Sequence, residues 1–383
     1  MAAELEVPVA VVGQVAGFEV SSTRSSDWSW PADCPIDPVE VRAMPPQGVY
    51  ALAAVRQALA EAGLQEADLR DGRSGLFTAS VGSARMLHHH LSRMEASDWR
   101  RIAPTSILSS IAGALNFHLA ALLGVRGASC GFVSACASGG HALGFALDEI
   151  RLGRQDRMLV VAAEEVSMES VLPFAGMGAL SLQTDPRLAS RPFDRHRDGF
   201  VATGGAVALV LESLDSAEAR QVRPLARMTG WAQTCDGHHP AAPHPDGQGI
   251  REAMLLAMKD AGVEPSEVEY VNAHATSTPA GDRAEARALR AVFGTGSPLA
   301  ISSTKALTGH ALSLAGVMEA AFCTLAIDEG FLPGQAHLSE PDEACAGLNL
   351  PHRTQMQRPR VVLNNSCGFG GSNVVHVLQS LEP

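Results

Sequence analysis

No two of the seven cysteines, Cys34, Cys130, Cys136, Cys235, Cys323, Cys345 and Cys367, stand in a C-x-x-C pair, and their number is odd. That argues against a disulfide scaffold and a zinc ribbon, and it fits reduced thiols in a cytoplasm. A membrane-crossing run is also missing: Ser313 to Ile327 is apolar, but it is short and Glu319 interrupts it. The opening residues, Met1-Ala2-Ala3-Glu4-Leu5-Glu6, lack the basic start and apolar stretch of a signal peptide. Positive charge is in deficit, with 29 Lys and Arg against 41 Asp and Glu and a formal charge of −12, which argues against a nucleic-acid partner. His88-His89-His90 has no acidic neighbour, and consecutive residues do not share a face, so no metal is expected there.

What is present describes a globular enzyme-sized chain. The 383 residues are 46% hydrophobic and 18% charged, enough apolar material for a large core in one domain or two fused halves. Val7–Gly13 predicts a buried strand, and the proline-punctuated Ser21–Gln47 a long surface connection. Helical spacing runs over Val49–Leu64 and Ile107–Leu123, with strands at Ser74–Ser80, Arg157–Ala163 and Ala206–Leu211. Helices at Arg251–Gly262, Asp282–Phe293 and Leu312–Ile327 alternate with strands at Val268–Ala273, Leu299–Ser302, Arg360–Asn364 and Val374–Leu378. Gly204-Gly205 before one strand echoes Gly370-Gly371 before another, which suggests two similar halves, 1–220 and 221–383. Such alternation implies an α/β fold with covered sheets.

The chain is organised around Phe132-Val133-Ser134-Ala135-Cys136-Ala137-Ser138-Gly139-Gly140, which leads into a helical pattern through Arg151. A cysteine at a helix start meets unpaired N–H groups and the positive end of the dipole, and both favour a thiolate nucleophile. The small neighbours leave room for a thioester. The same segment also suits a buried structural cysteine. Two histidines follow at element ends: His274, just past a strand, and His310, closing Lys305-Ala306-Leu307-Thr308-Gly309. A cysteine with two histidines is equipment for acyl transfer through a thioester.

In these blocks the chain resembles the β-ketoacyl-acyl-carrier-protein synthases. The likeness rests on Ser134-Ala135-Cys136-Ala137, Met177-Gly178-Ala179-Leu180-Ser181 and Arg191-Pro192-Phe193-Asp194 with Arg197-Asp198-Gly199-Phe200. It continues in His274 with Thr276-Ser277-Thr278-Pro279, Lys305 with Thr308-Gly309-His310, and Gly368-Phe369-Gly370-Gly371-Ser372-Asn373. The order and number of blocks resemble the elongating, Cys-His-His type. The resemblance implies the thiolase fold, two βαβαβαββ-like halves in five αβαβα layers, and a dimer.

It further implies decarboxylative condensation of an acyl thioester with malonyl-carrier protein, in fatty-acid or type II polyketide assembly. Cys136 would be the acyl acceptor, and His274 and His310 would act on the malonyl thioester. Lys305 and Glu319 would orient His310 and its loop. The backbone N–H groups of Cys136 and Phe369 would form the oxyanion hole, Phe369 would gate the acyl pocket, and Thr276 and Thr278 would hold the pantetheine arm. The partners implied are acyl carrier protein and a second copy or a second ketosynthase-like chain. No metal or other cofactor is implied, and the Cys235-Asp236-Gly237-His238-His239 segment with His244 resembles a loop the family carries near its active-site mouth. Two other readings remain: a chain-length-factor-like partner subunit, and a thiolase using Cys367 as a second cysteine.

Three departures from the family pattern stand out. The first strand, turn and helix are shortened or missing. Ala275 replaces a usual glycine, which restricts that backbone. The region of Ser109-Ser110 lacks a docking lysine, for which Arg100 and Arg101 could substitute.

Overall fold

A computed structural model describes residues 9–96 and 98–381, with the side chain of Arg101 excepted. Its nine strands form two sheets. The first has the order β2-β1-β3-β4, from β1 (Ser74–Ala79), β2 (Ser129–Phe132), β3 (Arg157–Glu164) and β4 (Gly205–Glu212). The second has the order β5-β9-β8-β6-β7, from β5 (Arg227–Cys235), β6 (Tyr270–Asn272), β7 (Ala300–Ser302), β8 (Val361–Gly368) and β9 (Ser372–Gln379). In the first sheet β1 pairs parallel with β2 and β3, and β4 closes antiparallel on β3. The second repeats this: β6 pairs parallel with β7 and β8, and β9 closes antiparallel on β8. The glycine echo read from the sequence therefore marks the entry to equivalent strands, β4 and β9.

Alternate strand residues point to opposite faces, and the clusters they join give the layers. Leu76, Leu159, Val161 and Ala163 pack outward against the Gln47–Glu61 and Ala114–Leu123 helices. Phe77, Met158, Val160 and Ala162 pack inward against Ala142, Leu143 and Ala146 of the Ser138–Arg151 helix and Val317 and Ala320 of the Ala315–Glu329 helix. In the second sheet Val271, Ile301, Leu363 and Val375 face Ile250, Met254 and Leu289 of the outer helices Gln248–Ala261 and Pro279–Phe293. Tyr270, Ala300 and Val362 face Cys323 and Ile327 of the central Ala315–Glu329 helix. The sequence is helices, sheet, helices, sheet, helices. The two central helices approach closely because a Cβ on Gly316 would lie 2.6 Å from the Gly140 nitrogen.

Several expectations need correction. Val7 and Pro8 lie outside the described residues, and 9–13 form no strand. Among these, Gly13 bridges to Thr203, while Ala10 and Val12 are exposed, with no strand beside them among the described residues. The first sheet accordingly has no counterpart of β5 among the described residues, and the outer edge of β4 is unpaired there. The connection 21–47 is not wholly a surface one. Trp28, Ile36, Val41 and Met44 are buried in the first core, and Asp37 caps a short helix at Pro38–Val41 through a reciprocal capping box. Ile107–Leu123 is broken into a short turn of 3-10 helix, Ile107–Ser109, and the helix Ala114–Leu123. The Ser106, Ser109 and Ser110 hydroxyls bond back to local carbonyls, and Gly113 follows. Ser109 and Ser110 are buried, so they present no surface, charged or otherwise.

Candidate active site

Cys136 sits one residue before the cap of the Ser138–Arg151 helix, on a tight loop in which Ala135 has φ +51°. Ser138 fastens that loop: its hydroxyl accepts the Ser134 N–H at 2.8 Å and donates to the Ala135 carbonyl at 2.6 Å. Cys136 is 9% exposed, and its thiol opens onto a cavity of about 390 Å³ shared with His274, His310, Thr276, Thr278, Phe369 and Cys367. Gly368 abuts the same loop. A Cβ there would lie 2.7 Å from the Ser134 carbonyl oxygen and 3.0 Å from the Ala137 nitrogen, so only glycine lets the Phe369 turn come this close.

The two histidines arrive from the second sheet. His274 follows β6, and His310 follows the short Lys305–Thr308 helix. Their rings stand perpendicular, at 89°, with centroids 5.3 Å apart. The Nδ1 atoms of both are buried without a partner among the described residues. Lys305 and Glu319 are fully buried and form an ion pair. Burial, then the Lys305 charge, holds both imidazoles well below the usual histidine range, so they are neutral at physiological pH.

The thiolate expectation for Cys136 is corrected. Burial pushes its thiol up to about 12, and the opposing pull of Lys305 is the smaller effect. The dipole of the helix start cannot offset loss of water around a thiolate in this apolar cavity. Cys136 therefore rests as a thiol, and acting as a nucleophile would require its proton to leave. Burial also lifts Glu319 to about 7.

The sequence singled out the cavity's ends but not what anchors them. Glu285, on the Pro279–Phe293 helix, accepts the backbone N–H of His274 at 2.9 Å and that of Ala275 at 2.7 Å, and also takes the Asn365 amide at 2.9 Å. Asp282 accepts the N–H groups of Ser277 and Phe193, and it pairs with buried Arg197 at 3.2 Å. The only hint was acidic residues on the otherwise apolar face of that helix. Ala275 does not have the positive φ that would demand glycine; the strain falls on Ser277, at +73°. The Thr276 and Thr278 hydroxyls lie 3.1 Å apart on the cavity wall.

Phe369, 38% exposed, starts an aromatic chain through Phe174 (6.0 Å) and Phe200 (5.4 Å) to His310 (5.3 Å). Cys367 lines the cavity, and burial raises its thiol well above the usual range. The other singled-out groups disperse. His88 approaches Glu169 at 3.5 Å, and His90 bonds Ser109 at 3.0 Å. Asp236, at the cavity mouth, is taken up by Asn373 and the His244 N–H, both at 2.8 Å. Arg100 is held by Asp98 at 3.0 Å and lies over the Trp99 ring.

Two family models match the chain in order. Residues 24–217 match the family model for the N-terminal domain of β-ketoacyl synthases, and residues 225–339 match the model for the C-terminal domain. The chain is 38% identical over 352 residues to 3-oxoacyl-[acyl-carrier-protein] synthase 1 of Escherichia coli K12, covering 91% of this chain and 85% of that one. A β-ketoacyl synthase from Burkholderia phymatum superimposes with a TM-score of 0.89 at 31% identity, over 98% of this chain and 90% of the other. The ishigamide ketosynthase/chain length factor gives 0.81 at 34% identity, over 88% and 83%. With both family models matched in order on a thiolase-type pair of sheets, this chain belongs to the β-ketoacyl synthase family.

Proposed function

We propose that the protein is a decarboxylating 3-oxoacyl-carrier-protein synthase in which Cys136 carries the acyl group. The observation that carries this reading is one cavity holding a thiol and two neutral, uncommitted imidazoles beside a buried Lys305–Glu319 pair. The Cys136 sulfur attacks the acyl thioester and loses its proton to a neighbouring neutral imidazole. The carrier's thiolate leaves and takes that proton from the imidazole, which is neutral again for the next step. The backbone N–H groups of Cys136 and Phe369 face the developing oxyanion, a donor arrangement worth about 3–4 kcal/mol per donor elsewhere.

Malonyl-carrier protein then enters, its pantetheine arm against Thr276 and Thr278. His274 and His310 donate hydrogen bonds to its thioester carbonyl. As the C–C bond to the carboxylate breaks, CO2 departs and the electron pair is held as an enolate between the two donors. That carbanion attacks the acyl-Cys136 carbonyl, the new C–C bond forms as the C–S bond breaks, and the expelled Cys136 thiolate takes a proton from water to return to its resting thiol. Neutral imidazoles suit this step, since the bonds they donate strengthen as charge builds on oxygen. Lys305 and Glu319 orient the His310 loop, and Phe369 gates passage between the acyl side and the histidines. The reaction requires no metal or redox cofactor, and the acyl groups ride on the carrier's phosphopantetheine. The seven unpaired cysteines fit a reducing compartment such as the cytoplasm.

The partner surface in this reading is the β2 edge. Ser129–Cys130–Gly131 is exposed in the end strand of the first sheet, next to exposed Val133 and the Ala114–Leu123 helix with its exposed Phe117. An edge with no neighbouring strand among the described residues, beside apolar side chains, suits strand addition from a second ketosynthase-like chain. The test is condensation assayed with acyl- and malonyl-carrier protein: 3-oxoacyl product and CO2 in equal amounts support the reading, and acyl transfer without CO2 contradicts it.

A further inference from the structure

Among the described residues, Leu312 is the one large apolar residue on the cavity wall with a left-handed backbone, φ +51°, and it packs with Cys136, Leu180 and Phe200. L-residues avoid that conformation, so the neighbouring chain must hold it. On one side His310 is strapped to the strand-like segment at 201–203: its N–H donates to Val201 at 2.7 Å, and its carbonyl accepts from Thr203 at 3.2 Å. On the other side the Ser313 hydroxyl donates to Glu164 Oε1. The Ser313 carbonyl faces the nucleophile helix, where a Cβ on Gly139 would come within 2.8 Å.

Glu164 ends β3, is 1% exposed and takes no part in the chemistry proposed above. The same oxygen accepts the Val81 N–H at 2.9 Å, so the carboxyl ties three segments together: the end of β3, the turn after β1 and the turn bearing Leu312. Burial lifts this carboxyl to about 8. It is therefore largely neutral near pH 7 and brings little charge to the cavity.

We propose that Glu164, acting through the Ser313 hydroxyl, is a positioning residue that clamps Leu312 against Cys136 and thereby sets how long an acyl chain Cys136 accepts. The proposal rests on the reading of Cys136 as acyl acceptor. A branched side chain fixed beside the thiol limits the space into which an acyl chain extends. With the clamp removed, the turn relaxes toward right-handed backbone and Leu312 withdraws.

The test is competitive acylation. Wild type, Ser313→Ala, Glu164→Ala and Glu164→Gln are each given hexanoyl- and hexadecanoyl-carrier protein together, and the two adducts on Cys136 are counted by mass spectrometry. A ratio from one tube does not change when part of the sample is unfolded. Ser313→Ala and Glu164→Ala should shift the ratio toward the long chain at least threefold. Glu164→Gln, whose amide oxygen still accepts both bonds, should stay within twofold of wild type. An unchanged ratio in Ser313→Ala, which removes a single hydroxyl, would overturn the proposal even if Glu164→Ala does not fold. So would a shift in Glu164→Gln as large as in Glu164→Ala. Wild type that takes no acyl group on Cys136 would overturn both this proposal and the one beneath it, whereas acylated wild type with unmoved ratios overturns this one alone.

Discussion

The Glu285 carboxylate fixes His274 by its backbone: one oxygen accepts the His274 N–H at 2.9 Å and the other accepts the Ala275 N–H at 2.7 Å. The ring proposed to act on the malonyl thioester is thus aimed by its main chain, with no protein bond at Nδ1 among the described residues.

Glu285→Ala therefore strands two buried N–H groups, each costing about 1–3 kcal/mol, and loosens the His274 loop. The melting temperature should fall, and CO2 release by the folded fraction should fall further than acyl uptake by Cys136. Both rates are measured on one preparation; equal losses in the two would refute the assignment.

His274→Ala separates the half-reactions more sharply. The variant should still accept acyl groups on Cys136 but release CO2 from malonyl-carrier protein about 10²-fold more slowly, the cost of one positioned donor. Wild-type CO2 release would rule out its role.

The buried imidazoles also fix a pH dependence. Burial and Lys305 depress both histidines below their unfolded value near 6.5, so the unfolded chain binds more protons than the folded one below that pH. Their contribution to stability is present above about pH 6.5 and is lost as pH falls. CO2 release, which uses neutral rings, should show no inflection near pH 6.5. Denaturant midpoints and decarboxylation rates between pH 5 and 8 check both statements, and an inflection near 6.5 would count against neutral rings held by burial.

Much of this candidate site was legible because its candidate groups stand at element ends in short, ordered blocks: Cys136 before a helix, His274 after a strand, and His310 before another helix. What the sequence concealed depends on packing. Glu285 looks like a misfit among Ala284, Ala286 and Leu289 until the His274 loop lies against it. The protonation of Cys136 inverted because helix-start chemistry is local, whereas desolvation belongs to the finished cavity. Ser109 and Ser110 read as surface for the same reason: burial of short polar residues is decided by their neighbours. The sheets were legible from apolar runs, but that β4 has no outer neighbour among the described residues appears only from the strand order of the two sheets.

Docking is expected at the cavity mouth rather than at Arg100. Pro279, Ala280 and Gly281 line the mouth, and Arg287 lies exposed on the same helix, 3.6 Å from Asp246. Arg287→Glu should raise KM for an acidic carrier protein several-fold with little change in kcat, and the difference should shrink at high salt. A salt-independent change, or none, would refute this.

Assembly is expected to involve a second, different ketosynthase-like chain on the β2 edge. Native mass spectrometry after co-expression with such a chain should show a heterodimer that elongates faster than the isolated homodimer. A homodimer that elongates at the full rate without a partner would exclude the requirement.

The most direct measurement is the mass of the peptide containing Cys136 after incubation with acyl-carrier protein. The account predicts one acyl adduct on Cys136, absent in Cys136→Ala. An adduct on Cys367, or one that persists in Cys136→Ala, would contradict it.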